Sequence, residues 1–149
     1  MKRVAPATTA LFALFLGGII YVLWHDESLI MFRWFDAFGF GAQVHSLRIY
    51  AEPYANILPQ RVIFSLPQAL WLFSGILLLR SIWGNDKHKG MQLWLVILLT
   101  MAFGIEYMQY LHWMPGTFDE LDVGLLIAGC AVSFAFIKLS YDTKRRVQR

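Results

Sequence analysis

Four long apolar runs limit what this chain can fold into more than any other feature. Val4 to Trp24 is 21 residues without a charge, and Val62 to Leu79 is 18, bracketed by Arg61 and Arg80. A third run extends from Met91 to about Trp113, broken only by Glu106. The fourth spans about Phe118 to Tyr141, with an uncharged centre from Val123 to Ile137. A bilayer core of about 30 Å is crossed by about 20 helical residues, each rising about 1.5 Å. The shorter runs reach that length once their polar ends meet the headgroups. The expected fold is all-α: a polytopic membrane protein built as a four-transmembrane-helix bundle, with helices over about 4–24, 62–83, 91–113 and 118–141.

Composition agrees. The chain is 58% hydrophobic and 15% charged, against roughly 25% charged in a soluble domain. Disorder, a disulfide scaffold and a collagen-like fibre are excluded by the same figures. Cys130 is the single cysteine, so no intrachain disulfide forms, and its apolar neighbours mark it as a small core filler. The net charge of +3 does not indicate a nucleic-acid partner, because the basic residues sit at helix ends and in the tail. The first run opens on Lys2 and Arg3 like a signal peptide. It ends on Tyr21-Val22-Leu23-Trp24, where a cleavage site needs small residues, and is expected to remain as an anchor.

Lys and Arg set the orientation. Ten of the thirteen lie at the amino end (Lys2, Arg3), between the second and third runs (Arg80, Lys87, Lys89) and at the carboxyl end (Lys138, Lys144, Arg145, Arg146, Arg149). The opposite side holds Arg33, Arg48 and Arg61. Both termini are therefore expected in the cytoplasm. The whole chain, 1–149, reads as one membrane domain with an outer interfacial segment at 25–61 and a cytoplasmic basic tail at 142–149. In the outer segment, Leu29 to Phe35 is too apolar for a solvated loop. Ser28 to Phe38 reads as a short amphipathic helix in the headgroup layer, or equally as a re-entrant or packed loop. Gly39 and Gly41 end that piece, and Pro53 and Pro59 punctuate the approach to the second helix.

The chemistry is concentrated near the outer ends of the last two helices. Glu106, Gln109, Tyr110 and Trp113 follow i, i+3, i+4, i+7 and share one helical face. A carboxylate within an apolar helix costs a few kcal/mol to insert, so Glu106 should face protein or water beside a partner. A turn at Pro115-Gly116 brings Asp119 and Asp122 toward Glu106 and Gln109. Arg61, Ser65 and Gln68, at i, i+4 and i+7 of the second helix, lie at the same level. Arg61 is placed to pair with one of these acids or to snorkel to the headgroups. Pro67 is a candidate kink.

Thr117, Asp119 and Glu120 also have a structural explanation, and Asp122, deeper in the helix, is less easily explained that way. Thr117-Phe118-Asp119-Glu120 fits a capping box, with Thr117 as the N-cap and Glu120 reaching back. Acids in a first helical turn favour the helix dipole by about 0.3 to 1 kcal/mol each. Glu106 is the hardest residue to explain by capping. Asp119-x-x-Asp122 has the spacing of a cation-holding pair, a spacing common by chance. His25, His45, His88 and His112 show no metal-ligand pattern, and no metal or cofactor is expected. His112, beside Trp113, reads as part of an interfacial aromatic belt. Gly124 with Ala128, and Gly129 with Ser133, form small-residue faces suited to close approach of another helix, within the bundle or in a homo-oligomer.

Glu106-x-x-Gln109, a short turn, Gly116-Thr117-Phe118-Asp119-x-x-Asp122 and the later Gly129 resemble the carboxyl half of VanZ-like bacterial membrane proteins. The Ser65-Leu66-Pro67-Gln68-Ala69-Leu70-Trp71 start of the second helix is similar to small bacterial proteins with this ending. The resemblance covers about residues 57–137. It implies a helical protein of the bacterial cytoplasmic membrane. This chain has Gly116 where the family often carries arginine, and Leu126 where it often carries asparagine. Three functions follow as expectations. The favoured one is binding of an envelope lipid, a lipid-linked precursor or a partner protein at an outer acidic cluster of Glu106, Gln109, Asp119, Asp122, Gln68 and Arg61. The alternatives are an enzyme acting on a lipid-linked substrate, with Glu106 as general acid or base, and a structural subunit.

Overall fold

In hydrocarbon no water is available to backbone N–H and C=O groups, so an apolar run must satisfy them internally as a helix. The computed structural model describes residues 4–57, 59–84, 89–114 and 117–147. Among them are six α-helices: α1 (Val4–Trp24), α2 (Ile30–Ala37), α3 (Gly41–Ala51), α4 (Gln60–Trp83), α5 (Lys89–Tyr110) and α6 (Glu120–Val147). A 3-10 turn, Glu52–Asn56, follows α3 and carries Pro53 in its opening turn. Helices α1, α4, α5 and α6 are each long and apolar enough to cross a membrane. The expected all-α bundle of four spans is the observed architecture.

Helix α4 is the hub, packing against α1, α6 and α5, whereas α5 touches α6 only lightly. Helix α1 runs antiparallel to α4, since Ser74 Oγ donates to the Ala10 carbonyl at 2.8 Å while His25, at the other end, meets the Phe64 ring. Helix α6 runs parallel to α4. Leu72 and Ile76 of α4 close a core with Leu126 of α6, with Leu98, Phe103 and Ile137 packed around it. Cys130 is half-buried against this core, in keeping with its reading as a filler.

Small residues set the spacing. A Cβ added to Gly129 would stand 3.0 Å from the Ala69 carbonyl oxygen, so α6 lies against the α4 backbone there. Ser133 is fully buried one turn on and returns its hydroxyl to the Gly129 carbonyl at 2.7 Å. The Gly129/Ser133 face is thus an intramolecular seam. Gly124 meets nothing within 4 Å and Ala128 is exposed, so the second small-residue face is uncovered. Pro67 is fully buried and α4 runs on through it without a break.

Several boundaries differ from expectation. The third span ends at Tyr110 rather than Trp113, and the fourth begins at Glu120 rather than Phe118. The segment read as a basic tail, 142–149, continues α6 to Val147, and it contains no Pro or Gly to stop a helix. The Pro115-Gly116 turn lies outside the described residues, as do Lys2, Arg3, Lys87 and His88.

The segment between α1 and α4 is more ordered than the sequence reading allowed. Of the helix and the loop that the sequence left open for Ser28–Phe38, a helix is present, as the shorter α2 over Ile30–Ala37. It buries Phe32 and leaves Ile30, Arg33, Trp34 and Phe38 exposed. Gly39, at φ +80°, ends it with the Phe40 N–H bonded to the Phe35 carbonyl and the Gly39 N–H to the Asp36 carbonyl. This is a Schellman cap, and it needs a left-handed residue that glycine supplies without strain. Helix α3 and the 3-10 turn were not anticipated. Together α2, α3 and the 3-10 turn cover one end of the bundle, hereafter the cap end.

Candidate functional site

Two polar constellations occupy the cap end. The first is built on Glu106, four residues before the last residue of α5, and thus about 6 Å inside the helix end. Its side chain faces the bundle and the residue is only 3% exposed. Gln68, two turns into α4, donates from Nε2 to Glu106 Oε1 at 3.0 Å. Antiparallel packing of α4 and α5 creates this pair, which joins residues 38 positions apart. Glu106 Oε2 is buried with no hydrogen-bond partner among the described residues. Asp122, from the first turn of α6, and Asp119, just before it, lie within electrostatic range of Glu106.

Helix termini place the acids. Helix α5 closes with the His112 N–H on the Gln109 carbonyl and the Trp113 N–H on the Met108 carbonyl. This second Schellman cap puts His112, at φ +59°, where glycine is usual. His112 is thus a backbone-capping residue with an exposed side chain. Helix α6 is capped by Asp119, whose Oδ1 accepts the Leu121 N–H at 3.0 Å. The expected Thr117/Glu120 capping box is corrected accordingly. Thr117 is exposed and one turn-start too early, because the helix begins at Glu120. The other Asp119 oxygen faces Arg61 Nε at 3.8 Å, with Arg61 79% exposed.

Of the anticipated residues, the fold therefore joins Gln68, Glu106, Asp119 and Asp122, with Arg61 at the edge. Gln109 is half-buried and makes no side-chain hydrogen bond among the described residues. Ser65 is turned onto its own helix, donating to the Arg61 carbonyl at 2.8 Å. Among the described residues no group of three His, Cys, Asp or Glu side chains is arranged to hold a metal.

The second constellation, centred on Arg48 of α3, escaped the sequence reading. Its guanidinium donates from Nη1 to the Val22 carbonyl and from Nη2 to the His25 carbonyl at 2.7 Å. Its Nε meets Glu27 Oε1 at 2.9 Å, and the cation lies 4.9 Å from the Phe32 ring centroid. Arg48 thus satisfies carbonyls that the end of α1 leaves open and complements the negative end of its dipole. Trp24 Nε1 adds a bond to the Ala51 carbonyl at 3.1 Å, fastening α1 to the end of α3. A cleft of about 340 Å³ opens beside Arg48, walled by Phe32, Phe35, Asp36 and His45. His25 stacks on Tyr21 at 4.0 Å and meets Phe64 edge-on at 5.1 Å. Burial, and secondarily the Arg48 charge, hold its imidazole below the ordinary value of 6.5. The only signal for Arg48 in the sequence was an arginine isolated on the less basic side of the chain.

These features define a multi-pass, all-helical membrane protein with a polar cluster at one end of its bundle. No family model, curated protein or solved structure matches the chain.

Proposed function

We propose that this is a VanZ-like protein of the bacterial cytoplasmic membrane, with both termini in the cytoplasm and the cap end on the outer face. Its role in this reading is to bind the polar part of an envelope lipid or lipid-linked precursor where α4, α5 and α6 converge. One observation carries the proposal: Glu106 is buried inside a helix long and apolar enough to cross a membrane, with one oxygen held by Gln68 and the other without a partner among the described residues. A buried acceptor without a donor costs about 1 to 3 kcal/mol, more if charged. A bound headgroup that donates there offsets that cost. Asp119 has a structural duty as the α6 cap, so the binding role rests chiefly on Glu106, Gln68 and Asp122.

The test is to compare Glu106→Gln and Asp122→Asn with wild type for folded yield and for co-purifying lipid. Retained yield with lost lipid supports binding. Lost yield in both variants, with no lipid on the wild type, indicates a purely structural cluster. Turnover of a lipid-linked precursor by purified protein, abolished in either variant, replaces binding with catalysis.

A further inference from the structure

The cluster holds more acidic side chains than its own residues pair. Glu106 Oε1 is satisfied by Gln68, and Oε2 has no donor among the described residues. Asp119 uses Oδ1 on the Leu121 N–H and turns Oδ2 to Arg61. Asp122 is half-buried in the first turn of α6 and within electrostatic range of Glu106. Arg61 is the only cation paired with any of these acids among the described residues, and its contact is with Asp119 alone, at 3.8 Å. Glu106 Oε2 and Asp122 are thus left as acceptors without a cation.

That remainder specifies a ligand. Carboxylates only accept hydrogen bonds, and in a poorly solvated site the strong partner is a donor that carries positive charge. A hydroxyl supplies a donor without the charge. A quaternary ammonium supplies the charge without an N–H. A primary ammonium supplies both, with three donors, enough to meet Glu106 Oε2 and Asp122 together. We infer that the cluster takes the primary ammonium of an aminophospholipid headgroup drawn from the surrounding bilayer, with the lipid phosphate at Arg61. This rests on the lipid-binding reading above and narrows it to one headgroup chemistry. The headgroup lies across the bundle end, entering at the seam where α5 touches α6 only lightly. Arg61, 79% exposed at the rim, is free to turn toward the phosphate.

The experiment uses the full chain in nanodiscs holding equal mole fractions of phosphatidylethanolamine and phosphatidylcholine over a phosphatidylglycerol background. Lipids retained by the protein are counted by native mass spectrometry. The expected result is about tenfold enrichment of the ethanolamine lipid over choline, the worth of one charge-assisted hydrogen bond. Glu106→Gln should bring the ratio close to one. Arg61→Gln should weaken retention of both lipids and leave their ratio intact, since both carry the phosphate. An ethanolamine, N-methyl, N,N-dimethyl, choline series on the wild-type protein should show retention falling as N–H donors are removed, a test that needs no substitution. A ratio of one in the wild type, or a ratio unmoved by Glu106→Gln, overturns the inference. Retention of phosphatidylglycerol that depends on Glu106 without amine preference overturns the ammonium site alone. Absence of any Glu106-dependent lipid overturns the lipid-binding reading with it.

Discussion

Replacing Arg48 with methionine keeps an apolar stem of similar reach and deletes every donor of the guanidinium. The Val22 and His25 carbonyls lose a charged partner, and each such bond contributes about 1 to 1.5 kcal/mol where water partly substitutes. The Glu27 pair adds at most about 1 kcal/mol, because Glu27 is 58% exposed and the interaction is screened. The contact with Phe32 adds about 0.5 to 1 kcal/mol. Arg48→Met should therefore weaken the cap end by about 2.5 to 5 kcal/mol, mostly through the two carbonyls. Lysine recovers only part of this, since a single ammonium does not reproduce the planar fork that spans both carbonyls. Glu27→Gln should cost less than about 1 kcal/mol. Hydrogen exchange of the protein in nanodiscs reads the effect locally. Amides at the end of α1 and through α2 and α3 should exchange about 60-fold faster or more, with the centre of α4 unchanged. If Arg48→Met leaves exchange at residues 22–51 at wild-type rates, or if Glu27→Gln does as much damage, the carbonyl-capping account is wrong.

Two further outcomes are expected from the same end of the molecule. His112 sits at φ +59° in the closing turn of α5, a conformation that costs a non-glycine residue about 1 kcal/mol. His112→Gly should raise stability by up to that amount in thermal or denaturant unfolding and His112→Val should lower it, and the reverse order would show that the imidazole has a role of its own. His25 is held below its ordinary value of 6.5, so the folded state favours the neutral ring. Stability from this group is full above about pH 6.5 and is lost as pH falls toward the depressed folded-state value. Unfolding followed from pH 7.5 to 5 should show that loss in the wild type and a flatter profile in His25→Leu. Parallel profiles would exclude His25 as its source.

The site was partly legible before any contact was known. Glu106 stands out because a carboxylate inside an apolar helix is costly wherever that helix goes. Asp119 and Asp122 follow from a short connection between two spans. Which residue holds Glu106 was not legible: Gln68, Ser65 and Arg61 share a face by spacing, yet only Gln68 reaches it. Ser65 bonds its own helix and Arg61 meets Asp119. Gln109 matched the face by periodicity, but its side chain makes no hydrogen bond among the described residues. Spacing on one helix defines an angle. The distance to a neighbour depends on how closely the helices approach, and here that is set by contacts such as Gly129 against Ala69.

The sequence by itself determined the four spans, whereas for the segment that forms α2 it left helix and loop open. A hydrocarbon surround requires each segment to satisfy its own backbone, so length and apolar content suffice, and those are local properties. Only the tertiary structure decided that α4 is the hub, that Asp119 rather than Thr117 caps α6, and that Arg48 ties α3 to the end of α1. Each of these depends on groups far apart in the chain meeting at hydrogen-bond distance. No local pattern encodes such a meeting, because the energy that selects it is released only when the helices pack.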